Sequence, residues 1–131
     1  MTAGVAEAAG VGFYSTYGWH PLAVGAAAAN PRYWRKHRDR ILTNVADQGD
    51  YFRARLEGMK LAEPASVHVM GLAIGVEFGD GCDYASKLSD RCREAGLLVS
   101  AEEDNLLTMF PPLTIDREIA RQGLDLLEGC F

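Results

Sequence analysis

An α+β fold is what this sequence predicts: a small antiparallel sheet of three to four strands with helices on one face, preceded by a long helical segment. Three observations point there. Apolar residues recur at three- and four-residue steps over residues 41–59, 84–95 and 115–127, as on helices with one buried stripe. Between residues 67 and 78 the period changes to two, the mark of a strand with one buried face. Two short apolar runs, 97–100 and 106–110, flank the acidic stretch 101–105 and read as a hairpin. Elements that each bury one side are satisfied together by stacking helices on a sheet.

Residues 1–14 mix Ala, Gly and Val, with Phe13 and Tyr14 at the end, and their glycine content disfavours a helix throughout, so they read as an arm or loop. Pro21 suits a first helical turn, and residues 22–29 are small helix formers. Asn30-Pro31 predicts a kink or break, since an interior proline clashes with the preceding turn and Asn30 can cap a restarted helix. The next stripe is Ile41, Leu42, Val45, Phe52, Leu56 and Met59, with Gly58 favouring its end.

Over residues 67–78 one strand is expected, with Leu72, Ile74, Val76 and Phe78 on one face. The small Ala73 and Gly75 on the other face suggest a close neighbour there, a helix backbone. After the Gly79-Asp80-Gly81 turn comes a helix carrying Tyr84, Ala85, Leu88, Cys92 and Ala95, closed by Gly96. Pro111-Pro112 ends the second strand of the hairpin, and Thr114 can cap a last helix with Ile115, Ile119, Leu124 and Leu127 on its apolar side.

The chain has 131 residues, 48% of them hydrophobic, which is enough for one modest core. A net charge of −5 disfavours a general nucleic-acid role. Arg32, Arg35, Lys36, Arg38 and Arg40 lie beside Tyr33 and Trp34, which describes either a stacking surface or a charged helix face edged by two amphipathic aromatics. Cys82, Cys92 and Cys130 are odd in number and lack metal-ligand spacing, so reduced thiols in a cytoplasmic protein are expected, with no zinc site. No basic-then-apolar leader is recognisable, and no run approaches the ~20 apolar residues that cross a bilayer, so no membrane role is expected.

The run Ser15-Thr16-Tyr17-Gly18-Trp19-His20-Pro21 sets hydroxyls just ahead of a helix start, where unpaired N–H groups and the helix dipole favour an anion such as phosphate. Such hydroxyls also serve plain turns and caps. This heptad, the Ala-rich stretch after it, the apolar strand and the Pro111-Pro112-Leu113 turn together resemble the C-terminal third of the class III aminotransferases, in the family's order and spacing from about residue 12 to 127.

The resemblance implies a division into an N-terminal arm with a phosphate-contacting loop, 1–20, and the aminotransferase small domain with its leading helices, 21–131. It implies pyridoxal 5'-phosphate as cofactor. The Thr16 hydroxyl, supported by Ser15, would meet the cofactor phosphate bound in the neighbouring protomer of a dimer. It implies small-molecule amine and keto acid substrates. In that family the lysine that ties the cofactor covalently and the aspartate on its ring nitrogen both lie N-terminal to the Ser-Thr motif. Lys36, Lys60 and Lys87 fall in segments that read as solvated helix or loop, so no catalytic residue is assigned and the chain is expected to be inactive alone. The partner would be a second copy or a separate large-domain aminotransferase chain.

Two positions depart from the family pattern. Ahead of the Pro-Pro-Leu turn, ornithine and acetylornithine enzymes carry an arginine for a substrate carboxylate, where this chain has Thr108, and a neutral hydroxyl cannot make that bidentate contact. The family's Arg-Gly before the small-domain strand is His68-Val69, and a lone histidine there reads as structural. His20 reads either as a pocket residue or as a polar residue at a helix entry. Two other roles stay open: a non-catalytic dimerisation or complementation module, and a stand-alone domain with different chemistry. Glu102, Glu103 and Asp104 read as a solvated turn.

Overall fold

The computed structural model describes residues 15–61 and 63–131. Two compact units, Met1–Arg38 and Asp39–Phe131, divide the chain. Three helices and four strands occur among the described residues: α1 (Pro21–Gly58), β1 (Ala65–Met70), β2 (Ala73–Phe78), α2 (Tyr84–Glu94), β3 (Ser100–Glu103), β4 (Leu106–Met109) and α3 (Arg117–Glu128). The strands form one antiparallel sheet in the order β1-β2-β4-β3. This is the α+β arrangement that the sequence predicts, with a long helix first.

The second unit has one core. Phe52, Leu56 and Met59 of the α1 stripe join Ile74, Val76 and Phe78 of β2, Leu107 of β4, Ala85, Leu88 and Cys92 of α2, and Ala120, Leu124 and Leu127 of α3. All three helices therefore bury their apolar stripes against the same side of the sheet, and fully burying each such large aliphatic stabilises the fold by about 1.5–3 kcal/mol. The other side carries Ser66, His68 and Met70 of β1 and Glu77 of β2, all exposed, with His68 Nε2 3.3 Å from Glu77 Oε2.

Several sequence expectations are corrected. The break at Asn30-Pro31 does not occur: α1 runs on through Pro31 as one helix. Proline forfeits one hydrogen bond there, and the run Ala26–Ala29 before it, exposed and made of the strongest helix former, supplies the helical propensity that offsets part of that cost. The single strand over 67–78 is a hairpin, turned by Gly71 and Leu72. Gly71 has φ +59°, at the first central position of a two-residue loop, where a type II′ turn takes glycine.

In the second hairpin the strand is Ser100–Glu103, not 97–100, and the turn is only Asp104-Asn105. An edge strand tolerates the outward carboxylates of Glu102 and Glu103, and a register shift between Ala101 and Glu103 breaks its pairing. Asp104 is no plain solvated turn residue, because its carbonyl accepts from Ala85 N at 3.0 Å and its carboxylate from Ser86 Oγ at 2.8 Å, joining the hairpin tip to α2. Finally, the cap of α3 is Asp116, whose carboxylate accepts from Ile119 N at 2.9 Å, and not Thr114.

The close helix neighbour expected against Ala73 and Gly75 lies elsewhere. A Cβ on Gly75 would meet only side chains of adjacent strands, Leu106 Cδ1 at 3.6 Å and His68 Cβ at 4.0 Å. The tight approach is between α1 and the β1–β2 turn: a Cβ on Gly49 would stand 2.5 Å from the carbonyl oxygen of Gly71, and one on Gly71 2.8 Å from Val45 Cγ1.

Gly49→Ala should therefore destabilise the fold by about 1–3 kcal/mol in urea titration, against the usual helical preference for alanine. Gly25→Ala, with nothing within 4 Å of the added methyl, is the control and should be neutral or stabilising by up to ~1 kcal/mol. Equal behaviour of the two variants would contradict the packing.

On α3, the Arg121 guanidinium hydrogen-bonds the Glu118 carboxylate at 2.7 and 3.0 Å and, with Gln122, holds its pKa down to about 2 from 4.5. A depressed carboxyl stabilises the fold above its unfolded value and loses that contribution as the pH falls from about 4.5 towards 2. NMR titration of Glu118 should show a midpoint near 2 that moves up to the ordinary carboxylate range in Arg121→Gln; an unmoved midpoint would contradict the pairing.

Candidate functional site

In the first unit, Ser15–His20 forms a short turn leading into α1. Gly18 N donates to Ser15 O at 3.5 Å, His20 N to Tyr17 O at 3.0 Å, and Val24 N to His20 O at 3.0 Å as the helix begins. Ser15, Thr16 and His20 are exposed, as are Tyr17 and Trp19. The first turn of α1 holds no acidic residue. Two hydroxyls thus stand in solvent beside the positive end of a long helix with no carboxylate in that turn to repel an anion, which fits a phosphate group.

Among the described residues, the lysine amines Lys36, Lys60 and Lys87 are not set up to bond a carbonyl. A lysine that bonds a carbonyl must lose its proton readily, which desolvation or a neighbouring cation promotes. Lys36 and Lys60 are exposed. Lys87 is paired with Asp83 at 2.8 Å, and that hydrogen bond raises its pKa.

The basic cluster Arg32, Arg35, Lys36, Arg38 and Arg40 is exposed along α1, with Trp34 half-buried and the Tyr33 ring 4.4 Å from that of His37. Among the described residues no group of three or more His, Cys, Asp or Glu is placed to hold a metal. No helix there is long and apolar enough to cross a membrane.

The second unit contains a feature the sequence did not announce, an apolar groove of about 430 Å³. One wall is α3, with Ile119, Ala120, Gly123, Leu124 and Leu127; the other is Leu97, Leu98 and Val99 and the end of β4 with Met109, Phe110 and the two prolines. Thr108 and Ser100 supply polar edges, and the Thr108 hydroxyl donates to Ser100 O at 3.5 Å.

Side chains of α1 hold this groove in place. Asn44 Nδ2 donates to Leu113 O at 2.9 Å and Ile115 O at 3.0 Å, pinning the segment after the Pro-Pro turn. Arg117 lies over the Tyr51 ring at 4.0 Å and donates to Asp47 O at 3.2 Å. Arg55 pairs with Asp125 and Glu128 at 2.9 and 3.1 Å. On the opposite wall, Ser89 Oγ of α2 donates to Val99 O at 3.0 Å. The signal available in the sequence was the pairing of Pro111-Pro112 with a glycine, Gly123, inside the last amphipathic helix.

The aminotransferase class-III family pattern matches residues 2–131. The chain is 37% identical over 114 residues to the acetylornithine aminotransferase of Methanosarcina acetivorans, covering 87% of this chain and 28% of that one. It is 38% identical over 118 residues to the mitochondrial acetylornithine aminotransferase of Eremothecium gossypii, covering 88% and 26%. Among solved structures, a phospholyase from Arthrobacter in complex with phosphoethanolamine superimposes with TM-score 0.71 at 30% identity, over 98% of this chain and 33% of that one.

A fold of this topology, built on this motif order, is that of a class III aminotransferase segment, and the chain belongs to the class III aminotransferase family. It spans about a quarter to a third of the length of the relatives it matches.

The exposed apolar rim of the groove should be separable from the fold. Leu98 is 84% and Phe110 71% exposed, so Leu98→Ser with Phe110→Ser should reduce binding of an apolar fluorescent dye while changing stability by less than about 0.5 kcal/mol. A large loss of stability would show instead that these side chains belong to the core.

Proposed function

We propose that the chain is the C-terminal part of a pyridoxal-phosphate-dependent class III aminotransferase, and that it is inactive until a large domain supplying the covalent lysine completes it. The observation that carries this reading is the family match over residues 2–131 in a chain that spans 28% of its acetylornithine aminotransferase relative. The reaction moves an amino group from an amine or amino acid to a keto acid or aldehyde. The cofactor, when bound, supplies the electron sink for that chemistry.

This chain contributes binding and enclosure. Thr16, supported by Ser15, donates a hydrogen bond to the cofactor phosphate of a neighbouring protomer, and the dipole of α1 adds a favourable charge. The groove between α3 and the end of β4 borders the substrate entrance. Thr108 at its edge offers a neutral hydroxyl, so a substrate carboxylate is not gripped there as arginine would grip it. The assembly works in the cytoplasm, where its three thiols stay reduced.

A second reading, a non-catalytic dimerisation or complementation module, is favoured by the exposure of large apolar residues: Met70 82%, Leu98 84% and Phe110 71%. Size-exclusion with a lysine-bearing large-domain chain gives a complex under both readings, and activity separates them. Amino transfer from an amine to a keto acid should appear only in the mixture, and Thr16→Ala should weaken cofactor binding there by roughly tenfold or more, the loss of one charge-assisted hydrogen bond. The reading fails if the lone chain, given pyridoxal phosphate, keeps it bound after borohydride treatment and turns over an amine.

A further inference from the structure

We propose that Asp80 is a site of backbone isomerisation to isoaspartate, which makes the Gly79–Cys82 turn a substrate for a methyltransferase that acts on isoaspartyl carboxylates. Asp80 is the only Asp or Asn in the chain that a glycine follows. Gly79, Asp80 and Gly81 are all exposed in the turn between β2 and α2. Cys82 N donates to Gly79 O at 3.2 Å across that turn, and Gly81 has φ +74° at the second central position, where a type II turn takes glycine. Among the described residues the Asp80 carboxylate makes no hydrogen bond or ion pair, and the Gly81 N–H has no acceptor. A Cβ added at Gly79 or Gly81 would meet nothing within 4 Å. Nucleophile and electrophile are thus adjacent, unengaged and free to rotate towards each other. Other aspartates of this unit are occupied: Asp83 pairs with Lys87 at 2.8 Å, Asp104 accepts from Ser86 Oγ, Asp116 caps α3, and Asp125 pairs with Arg55 and Arg121.

The backbone nitrogen of Gly81 attacks Cγ of Asp80. The new N–Cγ bond closes a succinimide ring, and the carboxyl OH and the amide proton leave together as one water. With no Cβ on residue 81, nothing shields that nitrogen from the approach. Water then adds back. Cleavage of the N–Cγ bond returns aspartate, while cleavage between the nitrogen and the Asp80 main-chain carbonyl carbon gives isoaspartate, in which the chain runs through Cβ and Cγ and the former main-chain carbonyl is a free carboxylate. Nothing is oxidised or reduced, and the final mass equals the starting mass. The product carries one more backbone carbon between β2 and α2. That insertion falls at the start of α2, where the Asp83 side chain makes no cap hydrogen bond and Cys82 Sγ accepts from Tyr84 N at 3.3 Å instead, so the sulfur that serves the helix start moves with the turn.

The test ages the folded full chain under reducing conditions at physiological temperature and neutral pH. Peptide mapping should resolve the fragment that contains Asp80 into two forms of equal mass, with a minor form lighter by one water. An isoaspartyl carboxyl methyltransferase, given S-adenosylmethionine, should label only the new form of equal mass. The folded chain should convert at a rate within about tenfold of that of the free peptide Phe78–Asp83, because an open turn costs little to rotate. Asp80→Glu should greatly slow the conversion, since the longer side chain would have to close a larger ring. Asp80→Asn should speed it, since a neutral amide is a better electrophile than a carboxylate, with ammonia leaving in place of water. An Asp80 that stays unmodified in the folded chain while the free peptide converts, or methyl labelling undiminished in Asp80→Glu, would overturn the proposal.

Discussion

The second unit depends on one backbone contact, the approach of α1 at Gly49 to the carbonyl of Gly71. A side chain of any size on residue 49 would hold the helix away from the turn, because its first carbon alone would reach within 2.5 Å of that oxygen. With glycine at both positions the helix settles against the β1–β2 hairpin, and Phe52 and Leu56, one and two turns further on, meet the inward row of Ile74 and Val76. The same seating brings the polar side chains of α1 to α3 and to the segment after the prolines. The side chains of Asn44, Tyr51 and Arg55 and the backbone carbonyl of Asp47 all act there, through hydrogen bonds, a cation–ring contact and ion pairs. The groove is therefore a consequence of where the helix lies, and its lining need not be strongly specified by itself.

Much of this was legible from periodicity, because a buried stripe is a property of one segment read alone. Phe52, Leu56 and Met59, Leu88 and Cys92, and Leu124 and Leu127 announce three helix faces, and each is buried. Features that depend on two segments meeting were not legible. The β1–β2 turn was missed because each side of it alternates by itself, but the inward residues change from odd positions, Val67 and Val69, to even ones, Ile74, Val76 and Phe78. That change of parity is what a two-residue loop does to a strand pattern. Pro31 was overestimated as a breaker because the alanine-rich run before it has strong helix propensity, which offsets part of the cost of the lost hydrogen bond. The Gly49–Gly71 contact joins residues 22 positions apart, and no local pattern records it.

The Ser15-Thr16 turn and the groove were unequally visible for the same reason. Hydroxyls followed by proline at a helix start form a local motif, so the turn could be found, while the groove is assembled from three separated stretches. The physical roles differ as well. The turn offers donors and a dipole to an anion, whereas the groove offers apolar walls with two hydroxyls at the edge. Neither provides an amine ready to bond a carbonyl, since Lys87 is held protonated by Asp83 and Lys36 and Lys60 stand in solvent. Family membership and activity are therefore separate questions for this chain, which spans about a quarter to a third of the length of the relatives it matches.

The central claim is that Thr16 grips the phosphate of a cofactor whose covalent anchor lies outside these residues. A crystal structure of the chain in complex with a lysine-bearing large domain and pyridoxal phosphate tests it most directly. The account predicts the Thr16 hydroxyl within hydrogen-bonding distance, about 2.5–3.0 Å, of a phosphate oxygen of the neighbouring protomer's cofactor. A complex in which the cofactor is fully bound while the Ser15-Thr16 turn stays in solvent, remote from every phosphate, would contradict it.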